Sequence, residues 1–182
     1  FYTEGVNTDS ETQNLLEAKL ADENLSAKVL RSGDSFRNAD GVKIEVLWPR
    51  LGEIPQSDQN IANLDLNGLS VVALITYGNF SILLTGDAGE LVMDQIAVEA
   101  GDVDVLKVPH HGSKTGMTDN FLNIINPELS VISAGEKNRY GHPAKESLKI
   151  LEKHNSKILR TDISGEIEII TDGNSFSIKT VR

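Results

Sequence analysis

Three short motifs hold the side chains that could do chemistry, and each lies just after an apolar segment that we predict to be a strand. Functional side chains of layered α/β proteins gather where strands end in loops. Together the motifs hold one carboxylate and three of the chain's four histidines. Carboxylates and imidazoles are ligands for divalent metals, and imidazoles also transfer protons near neutral pH. The motifs are Thr85-Gly86-Asp87, Pro109-His110-His111-Gly112-Ser113 and Gly141-His142-Pro143.

The adjacent histidines form the most informative of these motifs. On an extended backbone their side chains would point to opposite sides, so that one faces a pocket while neighbouring groups hold the other. The alternative is a solvated pair in a loop. Gly112 would let the backbone pass close to a ligand, and Ser113 offers a hydroxyl donor. The clustering of histidines in these motifs favours a shared site over separate structural roles.

The two remaining motifs also have ordinary structural explanations. Asp87 either bridges two cations or caps the helix that follows it. His142 either faces a pocket or is a surface histidine in a turn. Pro143 fixes the backbone after His142 and is suited to open the next helix at its first position. His154 lies near the end of a predicted helix, where the helix dipole explains it, and we leave it out of the site.

Composition limits the class of protein. A chain of 182 residues with 39% hydrophobic and 24% charged residues predicts a single globular domain over residues 1–182. No apolar run approaches the roughly 18 residues of a membrane span, so we expect no membrane insertion by this segment. A net charge of −10 disfavours a broad nucleic-acid-binding surface. Because the chain has no cysteine, any metal must be held by His, Asp or Glu.

Strand and helix patterns alternate along the chain. The alternation predicts a layered α/β architecture, and two hairpins predict that its sheets are mixed. A loop is expected from Leu51 to Asn67. The predicted helices are one opened by the capping box Ser10-x-x-Gln13, then Glu90–Ala100, one around Asp119–Ile125, and Ala144–His154. The predicted strands are Val42–Trp48, the hairpin 70–84 turned at Gly78-Asn79, Val103–Val108, Leu129–Ser133, Lys157–Leu159 and the hairpin 165–181.

Four motifs in order resemble the metallo-β-lactamase domain of ComEC-type competence proteins. The resemblance runs from about Tyr2 to the end of the chain. It depends on the order and spacing of the four segments more than on any one of them. The segments are Asn67-x-x-Ser70-Val71-Val72, Leu83-Leu84-Thr85-Gly86-Asp87, the stretch Asp104 to Ser113 and Asn138-Arg139-Tyr140-Gly141-His142-Pro143.

The resemblance implies an αββα sandwich that carries two divalent metal ions, zinc or manganese, and hydrolyses phosphodiesters of DNA or a smaller phosphoester. Asp87 matches the carboxylate that bridges the metals, and His142 matches the last metal-ligating histidine. One of His110 and His111 is then expected to contact the scissile phosphate or assist the leaving group. The resemblance also implies substrate-binding positions, which are Asn67, Ser70 and Ser113.

One departure from the family pattern limits these expectations. The signature His-x-His-x-Asp-His, which supplies most of the metal ligands, is absent, because the first histidine of the chain is His110. We therefore expect a C-terminal portion of the domain, completed by a missing N-terminal half and inactive alone. The alternatives are a non-catalytic binding module, or an extracytoplasmic domain of a DNA-uptake competence protein, secreted or attached to a membrane protein.

Overall fold

A computed structural model describes residues 2–3, 10–53 and 65–182 of the chain. Seven strands follow one another in sequence order across one large sheet. The first four are antiparallel to their neighbours, whereas the last four run parallel. The strands are β3 (Ser35–Arg37), β4 (Lys43–Trp48), β5 (Val72–Tyr77), β6 (Phe80–Leu84), β7 (Val105–Lys107), β8 (Leu129–Ile132) and β9 (Lys157–Arg160).

Two smaller sheets, five α-helices and two short 3-10 segments complete the described elements. β1 (Tyr2–Thr3) pairs in parallel with β2 (Lys28–Val29), and β10 (Glu166–Thr171) pairs antiparallel with β11 (Phe176–Val181). None of the helices within the described ranges combines the length and apolar character that a membrane crossing requires. The helices are α1 (Glu11–Asp22), α2 (Glu90–Ala100), α3 (Asp119–Ile125), α4 (Lys145–Lys153) and α5 (Thr161–Ser164).

The direction of the strands follows from the length of the connections between them. A turn of two residues, Gly78-Asn79, forces β5 and β6 to be antiparallel. After β6, the helices α2, α3 and α4 each return the chain to the same end of the sheet before the next strand begins. Strands β6 to β9 are therefore parallel, and their carboxyl ends lie along one edge.

The sheet is covered on both faces. One face of the sheet, with Leu83 and Leu106, packs against α2, α3 and α4 through fully buried side chains such as Phe121. The other face, with Phe80 and Val105, packs against side chains of the β10–β11 hairpin, including Phe176. Adjacent residues of a strand point to opposite faces, which explains how Val105 and Leu106 serve different clusters.

The predicted mixed α/β architecture is confirmed, and most predicted elements are found within one or two residues of their expected bounds. Glu90–Ala100 is helical over its full predicted length. Ser10 caps α1, because its hydroxyl accepts the backbone N–H of Gln13 at 3.2 Å. The predicted loop 51–67 ends in a 3-10 turn that begins at Asn67, and its residues 54–64 lie outside the described ranges.

Phe121→Ala tests this packing. Phe121 is completely buried between α3 and the sheet, so its truncation leaves a cavity and lowers the free energy of unfolding by about 3–5 kcal/mol. Leu91→Ala is the matched control, because Leu91 on α2 is 76% exposed and its loss changes stability by roughly 0.5 kcal/mol or less. Urea unfolding of both variants gives the comparison, and equal losses would contradict the described core.

Candidate active site

The three motifs meet at the edge formed by the carboxyl ends of the parallel strands. Asp87 follows β6, His110 and His111 follow β7, and His142 lies in the loop between β8 and α4. Nε2 of His111 lies 3.4 Å from Oδ1 of Asp87. The ring centroids of His110 and His142 are 5.8 Å apart, with the two planes at 66°. These four residues are the His–Asp cluster.

Asp87 is held by its own loop. Its backbone N–H donates to the hydroxyl of Ser70 at 3.1 Å. The carbonyl of Gly86 accepts from Nζ of Lys107 at 3.0 Å and from the backbone N–H of His110 at 3.2 Å. A Cβ on Gly86 would meet Cβ of Ser70 at 2.8 Å, so only glycine fits this close approach. Asp87 does not cap the helix that follows it, because no side chain forms an N-cap hydrogen bond with α2.

The two histidines do not lie on an extended backbone, and the prediction that they point to opposite sides is wrong. Both adopt the left-handed conformation, with φ of 47° at His110 and 55° at His111. The backbone N–H of Ser113 donates back to the carbonyl of His110 at 2.9 Å, which closes a tight turn. The turn brings both rings to the cluster, His111 beside Asp87 and His110 beside His142.

A backbone carbonyl fixes the protonation pattern of His111. Its Nδ1 lies 2.7 Å from the carbonyl oxygen of Ser133, which can only accept a hydrogen bond. Nδ1 therefore donates, and in a neutral ring Nε2 has no hydrogen. Nε2 then faces Oδ1 of Asp87 with one lone pair opposite another. A proton or a metal cation between the two atoms would relieve that repulsion.

The backbone of His142 is fixed by a residue to which we had assigned no role. Nδ2 of Asn138 donates to the carbonyl of His142 at 2.7 Å, and Oδ1 of Asn138 accepts the N–H of His142 at 2.9 Å. Burial lowers the pKa of His142, and the neighbouring His110 and His111 lower that pKa further, while Asp87 opposes them. The lowered pKa favours the neutral imidazole, the form that binds metal or accepts a proton.

Lys107 is a second residue without an assigned role. Burial lowers the pKa of its ammonium group more than Asp87 raises it. Its charge lies next to the loop of Asp87, where it would attract an anion. The sequence did indicate a special role for Lys107, since it is the one charged residue between Val105 and Val108 in an otherwise apolar strand.

Gly112 and Pro143 have different roles from those we expected. A Cβ on Gly112 would meet Cβ of Pro143 at 2.7 Å, so the space beside Gly112 is filled by protein and not by a ligand. The carbonyl of Gly112 also accepts the N–H of Ala144 at 2.8 Å. Pro143 does not open α4, which begins at Lys145 after the N-cap Ala144. The pair instead joins the His110–His111 turn to the His142 loop.

The three predicted substrate-binding residues lie in different settings. Ser70 supports Asp87 through the hydrogen bond described above. Asn67 is exposed at the start of its 3-10 turn. Ser113 is buried, and its hydroxyl lies 3.3 Å from that of Thr115 within the same loop. His154, which we excluded, contacts Asp119 through Nε2 at 2.8 Å and takes no part in the cluster.

The His–Asp cluster fits a divalent metal by donor type but does not complete a site. Carboxylate and imidazole match zinc or manganese, and the facing Asp87 Oδ1 and His111 Nε2 have room for a shared cation. Among the described residues, however, no group of three or more potential ligands is arranged to hold a metal ion. A stable site therefore requires further ligands.

Comparisons with known proteins show that the chain is similar to part of several competence and recombination proteins. It is 31% identical over 166 residues to ComE operon protein 3 of Bacillus subtilis, covering 90% of this chain and 20% of that protein. It is 35% identical over 132 residues to competence protein ComA of Neisseria gonorrhoeae, covering 71% of this chain and 18% of that protein. Recombination protein 2 of Haemophilus influenzae is 36% identical over 138 residues, or 75% of this chain and 17% of that protein.

The chain thus spans about a fifth of the length of these relatives. No family model matches it. Two solved hydrolase structures resemble it at lower similarity. A metal-dependent hydrolase from Parabacteroides distasonis has a TM-score of 0.48 and 14% identity, with 79% of this chain and 61% of that chain covered. A zinc-dependent metallo-β-lactamase superfamily hydrolase from Thermotoga maritima has a TM-score of 0.46 and 17% identity, with 74% of this chain and 72% of that chain covered.

Gly112→Ala tests how the two histidine loops are joined. The added methyl group would overlap Pro143, in addition to the backbone strain of a φ of +78°, and displace the His110–His111 turn. Gly101→Ala is the matched control, because Gly101 has a φ of +65° and nothing within 4 Å of its added Cβ. Gly112→Ala should lower the free energy of unfolding by about 1–3 kcal/mol more than the control. Equal losses in urea unfolding, with unchanged histidine NMR signals, would contradict this account.

Proposed function

Because the chain is a relative of the ComEC-type competence proteins, in a segment of metallo-β-lactamase-like fold, we propose that it contributes half of the active site of a metal-dependent phosphodiester hydrolase. The observation that supports this most directly is the pair formed by Asp87 and His111. A carboxylate oxygen faces an imidazole nitrogen at 3.4 Å, and the far side of the imidazole is fixed by the Ser133 carbonyl. Such a backbone contact is the usual way in which a metal-binding histidine is oriented.

The proposed cofactors are two divalent metal ions, zinc or manganese. Asp87 and His111 would hold them from this chain, with His142 adjacent as the ligand that the family pattern implies. The remaining ligands would come from the proposed partner, an N-terminal part of the same domain outside these 182 residues. When bound, such metals supply a hydroxide near neutral pH and neutralise charge on the phosphate.

His110 and two residues beside the His–Asp cluster have matching roles in this proposal. His110 is half-buried beside His142. Its ring forms no hydrogen bond with another residue in the described part of the chain, so it is available to donate a proton to a leaving oxygen. The ammonium group of Lys107 would attract the phosphate toward the loop of Asp87. Ser70 acts through Asp87, whose loop it positions.

The charge of the three loops supports a phosphate-containing substrate, either DNA or a smaller phosphoester. The chain as a whole has a net charge of −10. The loop segments 85–88, 107–115 and 134–145 nevertheless contain five cationic residues and two acidic ones. A phosphodiester would therefore be attracted locally by a protein that repels it elsewhere. The cationic residues are Lys107, Lys114, Lys137, Arg139 and Lys145, and the acidic ones are Asp87 and Glu136.

A non-catalytic binding module is the second candidate. The observation that favours it is the incomplete ligand set among the described residues. In that case the same basic loops would bind a phosphate-containing partner without cleaving it, as part of a DNA-uptake competence protein. Metal content and hydrolysis in the complete protein distinguish the two candidates.

The 182-residue chain should bind divalent metal weakly. Two or three ligands do not close a dinuclear site, so the chain should retain well below one zinc per molecule after dialysis. Elemental analysis of the chain and of the complete protein, purified in parallel, gives the comparison. Stoichiometric and tight zinc in the chain alone would show that its own residues suffice.

Asp87→Ala in the complete protein should remove both metal and activity. The loss of the bridging carboxylate should reduce hydrolysis of bis(4-nitrophenyl) phosphate to background, whereas Ser70→Ala should reduce it about 10–100-fold by loosening the loop of Asp87. Asp102→Ala is the matched control, because Asp102 is an exposed carboxylate before β7 at the opposite end of the sheet. Full activity of Asp87→Ala, with circular dichroism unchanged, would eliminate Asp87 from the proposed role.

A further inference from the structure

An exposed aromatic ring lies directly beside the His–Asp cluster. Tyr140 is 71% exposed, although it belongs to the loop that carries His142. Its ring is nearly parallel to that of His142, with an interplanar angle of 17° and centroids 6.1 Å apart. The position of Tyr140 is therefore tied to the cluster, while much of its ring remains accessible.

Arg139 also contacts the ring of Tyr140. Its guanidinium carbon lies 5.4 Å from the centroid of Tyr140, and its Nη2 lies 3.5 Å from the phenolic oxygen. An exposed cation–π contact of this kind stabilises the ring position by only about 0.5–1 kcal/mol. The pair is therefore a small exposed surface that presents a flat aromatic ring and a cation together at the edge of the site.

A flat ring beside a cation matches the chemistry of an unpaired nucleotide. Bases that are not in a duplex stack on aromatic side chains, and guanidinium groups contact phosphate oxygens. The basic loops described above supply the surrounding positive charge. A duplex has no free base face to offer the ring.

The position of Arg139 also disfavours phosphoesters that carry a quaternary ammonium group. Quaternary ammonium groups such as that of phosphocholine bind aromatic rings through the negative ring face. The guanidinium group of Arg139 already lies against the ring of Tyr140 and would repel such a cation. The same guanidinium group would attract the phosphate of a nucleotide.

We propose that Tyr140 is a substrate-positioning residue that stacks against an unpaired base of a single-stranded nucleic acid, while Arg139 contacts the phosphate backbone. This inference rests on the proposed function in one respect, namely that the strand so held is presented to the His–Asp cluster for hydrolysis. The base contact itself requires only the geometry of Tyr140, Arg139 and His142.

The test measures binding by fluorescence anisotropy in the complete protein with Asp87→Asn as the background, so that the strands stay intact. The probes are a labelled oligodeoxythymidylate, an abasic strand of the same length and the corresponding duplex. Tyr140→Ala should weaken binding of the oligodeoxythymidylate by about 5–150-fold, the range of one base–aromatic stack. Tyr140→Phe should restore that affinity, and the abasic strand should not respond to either change.

Arg139→Ala supplies the second arm. Its loss should weaken the oligodeoxythymidylate and the abasic strand alike and reduce the slope of log affinity against log salt concentration by about 1. Lys157→Ala is the matched control, because Lys157 is exposed at the start of β9, at the end of the sheet opposite the cluster. The inference is overturned if Tyr140→Ala leaves the oligodeoxythymidylate unaffected, or weakens the abasic strand equally. It is also overturned if phosphocholine competes with the strand through Tyr140.

Hydrolysis of bis(4-nitrophenyl) phosphate by the unaltered protein separates the two proposals. If this ester is cleaved while Tyr140→Ala binds both strands normally, the hydrolase proposal stands and the stacking inference fails. If no phosphodiester is cleaved while Tyr140→Ala selectively loses the base-containing strand, the stacking inference stands and the hydrolase proposal fails.

Discussion

The candidate site depends on the short contact between the Asp87 carboxylate and the His111 imidazole. The Ser133 carbonyl accepts the Nδ1 hydrogen of His111 and leaves Nε2 facing the carboxylate. Two acceptors that face each other repel, whereas a proton or a metal ion between them makes the contact attractive. The geometry of this pair therefore suits a shared cation.

The parallel strands make that contact possible, because they bring loops distant in sequence to one edge. Hydrogen bonds then lock the loops to each other. The carbonyl of Gly86 accepts from Lys107 and His110, while Gly112 packs against Pro143 and accepts from Ala144. Neither glycine has room for a side chain, so each contributes to the site by allowing two loops to approach closely and not by supplying a reactive group.

Much of this arrangement could be predicted from the sequence. The hairpin at Gly78-Asn79 and the alternation of helices and strands fix which strand ends share an edge. The conformation of His110 and His111 could not be predicted, because the left-handed turn depends on contacts with Pro143 and Gly86 that are remote along the chain. The role of Lys107 was missed for the same reason, since its ammonium group binds the backbone carbonyl of Gly86 in another loop. Asn138 acts within its own loop, where its side chain binds the backbone of His142 four residues further along.

The most direct measurement is anomalous X-ray diffraction from crystals of the complete protein grown with manganese or zinc. The account predicts a metal peak between Asp87 and His111, with ligand distances of about 2.0–2.2 Å to the carboxylate oxygen and to Nε2. It would be contradicted by a fully occupied metal that contacts neither residue, or by a metal-free, active enzyme in which the carboxylate and imidazole remain directly paired.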